Sequence, residues 1–247
     1  TARCETLYLP PGALMHGGGV SRKLGVPGIP AAAEDCGTAR EIAAAASLGA
    51  PIHICHVSTK GSVELIRDAK ARGVRVTAET CPHYLLLTDQ ALESQDADYR
   101  MNPPLRTEED RLALIEGLLD GTLDAIATDH APHSPEEKAD FFKAPNGSIG
   151  METSLAATLT ALQGKLSLSE ILEKMSVNPA QILGIPGGTL REGANADVVL
   201  FDPEKEWVVD PEKLHGKSKN TPFKGRKLKG KVVLTIFRGR VVYDARC

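Results

Sequence analysis

The 247-residue chain contains no apolar run of the roughly 20 residues a bilayer span requires, and no signal-peptide pattern opens it. It has no CxxC pair. Its five cysteines, Cys4, Cys36, Cys55, Cys81 and Cys247, are odd in number and irregularly spaced. That pattern excludes a disulfide framework and predicts free thiols in a reducing, cytoplasmic compartment. Excess positive charge is also missing. Twenty-nine Lys and Arg face 32 Asp and Glu, a net charge of -3, which argues against nucleic acid held by bulk charge. Internal repeats and low-complexity tracts are absent, so collagen, coiled coil and disordered tail are excluded. The Gly17-Gly18-Gly19 run lacks the spacing of a phosphate loop. An initiator Met is lacking too, and the start Thr1-Ala2-Arg3-Cys4-Glu5 reads as a point within a longer protein.

What is present is an alternation of strand and helix patterns. Residues 1–30 are punctuated by Pro11-Gly12, the glycine run and Pro27-Gly28, and predict short or irregular elements. An Ala-rich helix is predicted over 31–48, stopped at Gly49. A strand follows over 51–57. Ser58-Thr59 then caps an amphipathic helix from Ser62 to Ala71, stopped at Gly73. Residues 74–79 form the next β-branched strand. Thr107 to Asp120 reads as a helix with Thr107 and Asp110 as a loose capping box, because Asp stands where Glu or Gln is usual. Ala125 to Thr128 is a buried-type strand ending in Asp129, and helices are predicted near 151–163 and 168–175. Strands alternating with helices of this length predict parallel pairing, with the polar residues His56, Glu79 and Asp129 just past the strand ends. Beyond about residue 185 the pattern changes to short β-like runs between turns, predicting a small antiparallel unit. The Lys-rich stretch from Lys217 to Lys231 reads as a solvated loop.

The densest chemistry is Asp129-His130-Ala131-Pro132-His133, where an apolar strand delivers one acid and two imidazoles into a turn. Such groups bind metals or move protons. His53 and His56 are three apart, so a regular strand points them to opposite faces. His56, nearer the strand's C-terminal end, is the better ligand, and His53 belongs to the core or supports the site from behind. His83 in Thr80-Cys81-Pro82-His83-Tyr84 fits local structure as well as a site, and Pro145-Asn146-Gly147-Ser148 is a turn signal. One His and one Asp are too few for zinc, which takes three or four protein ligands in a structural or catalytic site.

These motifs resemble the dihydroorotases of the amidohydrolase superfamily. The likeness rests on His53-Ile54-Cys55-His56-Val57-Ser58-Thr59-Lys60, on residues 76–85, and on Met101-Asn102-Pro103-Pro104-Leu105-Arg106. It also rests on Ile126 to His133 and on Lys219-Asn220-Thr221-Pro222-Phe223. The resemblance implies an α/β fold, the C-terminal half of a distorted (β/α)8 TIM-like barrel. Residues 1–184 would supply strands five to eight, and 185–247 part of a β-rich flanking domain. It implies a zinc centre with His56 and Asp129 as ligands, Asp129 also shuttling the proton. Asn102 and His133 would hold the substrate's carboxylate and ring, with backbone groups of Asn146 and Gly147 completing the pocket. His130, His83 and Glu79 belong to the motifs without an assigned role.

Two departures stand out. The family's strand-one His-x-His and strand-four ligands have no counterpart, and Arg3 stands where the strand-five ligand belongs. A guanidinium has no lone pair to offer a metal. The activity implied is reversible hydrolysis of dihydroorotate to N-carbamoyl-aspartate in pyrimidine biosynthesis, by a homodimer. The alternatives are a catalytically inactive subunit supporting aspartate transcarbamoylase and a hydantoinase- or allantoinase-type cyclic amidase.

Overall fold

The computed structural model describes residues 1–5 and 12–246; Pro11 and Cys247 lie outside the described residues. The elements run β1 (Ala2–Arg3), β2 (Met15–His16), α1 (Gly19–Leu24), β3 (Gly28–Ile29), α2 (Ala32–Leu48), β4 (Ile52–Cys55) and α3 (Lys60–Ala71). There follow β5 (Val76–Thr80), α4 (Pro82–Leu86), α5 (Glu108–Leu119), β6 (Ala125–Ile126), α6 (Ser154–Leu162), α7 (Leu168–Leu172) and α8 (Asn178–Leu183). The last three are β7 (Val198–Val208), β8 (Lys227–Phe237) and β9 (Arg240–Asp244).

β1, β4, β5 and β6 form a parallel sheet in chain order. Ala2 pairs Ile54, Ile54 pairs Ala78, and Glu79 pairs Ala125. Helices connect the strands, giving an α/β TIM-barrel-type fold. Each helix has a local cause. α2 ends where Gly49 takes a left-handed φ of 59°. It also lies directly on β1: a Cβ on Gly37 would sit 2.1 Å from the Cys4 carbonyl oxygen. Thr59 caps α3 by accepting from the Ser62 N–H at 3.2 Å. The Thr107–Asp110 capping box forms fully. The Asp110 N–H reaches Thr107 Oγ1 at 3.3 Å, and Asp110 Oδ2 accepts the Thr107 N–H at 3.2 Å, so the shorter acid serves. The helix predicted over 168–175 instead loosens into a π turn at Glu173–Val177 before α8. Pro179 has no N–H to give the Met175 carbonyl, which accounts for the break.

β7, β8 and β9 form the expected antiparallel sheet, but the β-like runs between Gly187 and Asp197 form no strand. The sheet is fastened to α6: Thr160 Oγ1 accepts the Lys229 N–H at 2.9 Å. Gly230 (φ 96°) passes Leu159 so closely that a Cβ would lie 2.5 Å from Leu159 Cδ1. The reading of 217–231 as a solvated loop is corrected. Asn220, Thr221 and Phe223 are buried, Phe223 within the same apolar cluster as Leu159 and Leu162. Among the described residues no helix is long and apolar enough to cross a membrane.

Candidate functional site

The site gathers at the C-terminal ends of β4, β5 and β6. β4 stops at Cys55, and His56 leaves it with φ 57°. That left-handed residue overturns the alternation expected from a regular strand: His53 and His56 both reach Glu79. His53 Nε2 is 3.2 Å from Glu79 Oε2, and His56 Nδ1 is 3.1 Å from Glu79 Oε1. The Val57 N–H then rejoins the ladder by donating to the Glu79 carbonyl at 2.9 Å, which holds the turn. Asp129, also left-handed at φ 45°, brings Oδ1 to 3.5 Å from His56 Nε2. With Nδ1 engaged by Glu79, the ring presents Nε2 toward Asp129, the arrangement by which a carboxylate orients a metal-binding imidazole.

The electrostatics follow from this geometry. Burial pushes the Glu79 carboxyl up, but hydrogen bonds from His53 and His56 and their charge outweigh it and hold it at about 2. Burial presses His56 down, while the bond to Glu79 and the Asp129 charge carry it above its ordinary value. Burial, assisted by His56, drives His83 to about 3. His83 is enclosed in α4 edge-on to Tyr84 and has no partner for Nε2 among the described residues.

Asn102 precedes a cis peptide to Pro103, and its buried Oδ1 has no hydrogen-bond partner among the described residues. The Arg3 guanidinium donates to the Asn102 carbonyl oxygen, tying β1 to this loop. His133 Nε2 lies 3.1 Å from the Asn146 carbonyl oxygen, which leaves Nδ1 facing outward, 3.8 Å from Glu137. Both Gly147 backbone groups are engaged internally: its N–H donates to the Arg100 carbonyl at 2.8 Å, and its carbonyl accepts from Asn220 Nδ2 at 3.2 Å. Its φ of 124° and close approach to Ala131 suit glycine. His130 turns away to accept the Gly150 N–H on Nδ1 at 3.1 Å.

Two residues that motif reading left without a role are central here. Glu79 joins both histidines; its signal was a carboxylate at a half-buried position of a β-branched strand. Asn220 links both loops: Oδ1 accepts the His133 N–H at 3.1 Å, and Nδ2 donates to the Ala131 and Gly147 carbonyls. A third group stands behind the site. Buried Glu34 accepts from the Ser58 and Thr59 N–H groups at 2.8 and 3.1 Å and from the Ser58 hydroxyl, with Arg106 Nη2 at 3.5 Å. This network fixes the turn that carries His56 into α3. A cavity of about 770 Å³ between α6 and the β7–β9 sheet touches His130 but not His56, Asn102, Asp129 or His133.

Among the described residues, one group of three metal-capable donors comes within 4.8 Å: His53, Cys55 and Glu79. His56 and Asp129 lie outside that group and offer one imidazole nitrogen and one carboxylate oxygen 3.5 Å apart. Those donor types fit zinc, but they are only two of the three or more it takes. Arg3 adds none.

The sequence profile described as the Amidohydrolase family matches residues 14–242. The dihydroorotase of Syntrophus aciditrophicus (strain SB) is 54% identical over 245 residues, covering 98% of this chain and 58% of that protein. The dihydroorotase of Geobacter sp. (strain M21) is 53% identical over 243 residues, covering 98% and 57%. Among solved structures, the L-hydantoinase (dihydropyrimidinase) from Arthrobacter aurescens superposes with a TM-score of 0.82 at 34% identity, covering 87% of this chain and 50% of that one. The dihydropyrimidinase from Brevibacillus agri NCHU1002 gives 0.83 at 32% identity, covering 91% and 51%. The chain thus spans 58% or less of the length of each of these relatives.

Proposed function

The chain belongs to the amidohydrolase family, and from that premise we propose that it is the part of a dihydroorotase that carries the proton-transfer and substrate-holding residues. The reaction is reversible hydrolysis of the ring amide of dihydroorotate to N-carbamoyl-aspartate, a step of pyrimidine biosynthesis. Residues 1–184 would form strands five to eight of the barrel, and 185–247 the β-rich flank. The observation that carries this reading is the convergence of His56 Nε2 and Asp129 Oδ1 at 3.5 Å.

Each residue has a task. The Asp129 carboxylate takes a proton from the attacking water and returns it to the ring nitrogen as the C–N bond breaks. Asn102 turns its amide to donate N–H groups to the substrate carboxylate. His133, its ring fixed through Nε2 by the Asn146 carbonyl, holds the substrate ring by contact. Gly147 shapes the wall and keeps the loop close to Ala131. His56 and Asp129 would hold a zinc ion, and when bound it supplies Lewis acidity toward the ring carbonyl. Glu79 keeps the His56 ring turned so that Nε2 is available.

Dihydroorotate hydrolysis by the purified protein tests the proposal. Asp129→Ala should abolish turnover, and Asn102→Ala and His133→Ala should raise KM at least tenfold. Turnover of hydantoin in place of dihydroorotate would favour the cyclic amidase reading. Arg3 supports a second reading, a non-catalytic subunit that assembles with aspartate transcarbamoylase. Absence of turnover together with co-elution with that enzyme in size-exclusion chromatography would favour it.

A further inference from the structure

We infer that Arg100 is a positioning residue: it clamps the loop of residues 134–147 to the segment that leads into Asn102, and so fixes the wall of the substrate pocket that Asn146 and Gly147 supply. The identity of the substrate rests on the dihydroorotase reading; the clamp does not. Arg100 is 6% exposed and directly follows a short helical turn at Ala97–Tyr99, just before Met101 and Asn102. Its guanidinium forks across the loop. Nε donates to Asn146 Oδ1 at 3.1 Å, and Nη1 donates to the Phe141 carbonyl at 2.6 Å. Its own carbonyl accepts the Gly147 N–H at 2.8 Å. One residue therefore holds both members of the Asn146-Gly147 pair, the first by side chain and the second by backbone.

The choice of arginine has a geometric reason. Phe141 and Asn146 belong to different turns of one irregular loop, and a planar guanidinium presents adjacent donors in a fixed fork that spans such a pair. Burial gives the clamp its strength. A cation out of water needs acceptors, and the side-chain hydrogen bonds of Arg100 among the described residues go to two oxygens of this loop. Phe141 is itself buried in the apolar core, its ring centroid 6.0 Å from the guanidinium carbon, so the fork ties the loop to a rigid point. Lys138 repeats the device from the loop's own side. Its Nζ donates to the Ala97 and Pro145 carbonyls at 3.0 and 2.9 Å, and burial pushes its ammonium down to about 8.

From Asn146 the constraint passes to the site. The Asn146 carbonyl lies 3.1 Å from His133 Nε2 and fixes that ring, while Gly147 packs against Ala131. Arg100 thus acts through Asn146, Gly147 and His133, setting their distance from Asn102.

Arg100→Met removes the fork at similar length. Trypsin reads the loop at Lys143, whose side chain is 85% exposed, with Lys213, 83% exposed and outside both segments, as internal reference. Cleavage after Lys143 should quicken about tenfold while cleavage after Lys213 keeps its wild-type rate. Arg100→Lys keeps the buried charge without the fork; its Lys143 rate should fall between the two, and it guards against a Met variant that fails to fold. An unchanged Lys143 rate in both variants, or equal acceleration at both sites in Arg100→Lys, would overturn the clamp. In steady-state kinetics Arg100→Met should raise KM for dihydroorotate about tenfold and leave kcat within about twofold. Loss of kcat at unchanged KM would overturn the positioning role. A wild-type protein without turnover would sink the dihydroorotase reading, while the two cleavage rates still decide the clamp.

Discussion

Asn220 accepts the His133 backbone N–H across 87 residues of sequence, at 3.1 Å. With its two donations to Ala131 and Gly147, one buried amide holds together the two loops that frame the proposed substrate pocket. Asn220→Ala should lower unfolding stability by about 1–3 kcal/mol, because one buried and two part-buried backbone groups lose their partner. It should also raise KM for dihydroorotate more than it lowers kcat. Urea unfolding and steady-state kinetics check both; an unchanged KM would detach Asn220 from substrate binding.

Arg106 and Glu34 form a buried pair behind the turn after β4. Arg106→Met leaves the Glu34 carboxylate without its cation and should cost about 3–5 kcal/mol. The double variant Glu34→Gln/Arg106→Met should be less destabilised than the single one, as thermal denaturation would show. A double-variant loss equal to the sum of the two single-variant losses would mean the pair is not coupled.

Asp98 provides a pH test away from the site. Burial, reinforced by the charge of Asp96, raises its carboxyl from 3.8 to about 6. Between those values the folded state binds more protons than the unfolded state, so this group's contribution to stability falls as pH rises from about 4 to about 6. Asp98→Asn removes that cost. The variant should melt above the wild-type protein at pH 7, with the gap closing near pH 4. A gap independent of pH would contradict the assignment.

Arg3 sits on β1 in register with Cys55, its guanidinium turned to the Asn102 carbonyl. Arg3→His exchanges a group without a lone pair for an imidazole beside the His56 strand. Zinc content after dialysis should rise relative to the wild-type protein; an unchanged metal content would show that position 3 does not face the ion.

Much of the fold is legible in the residues. The Ala-rich run before Gly49, the Thr59 cap and the β-branched 76–80 segment each carry a local signal, and each forms the element that signal implies. His56 was identifiable by its position, but its side was not. The alternation rule fails because the strand ends at Cys55, two residues early, and His56 takes a left-handed turn that no periodicity encodes. Asn220 was hidden for a different reason. Lys217 and Lys219 precede it, and burial of an amide within a basic stretch depends on contacts from loops more than 70 residues away.

The left-handed backbone at His56 and Asp129 sets stability against the site. A residue with a side chain in that conformation costs roughly 1 kcal/mol, which glycine avoids. Directed evolution toward thermostability alone would therefore favour glycine at both positions and discard the two side chains the proposed chemistry uses. Persistence of His56 and Asp129 in such a library would require selection on turnover as well.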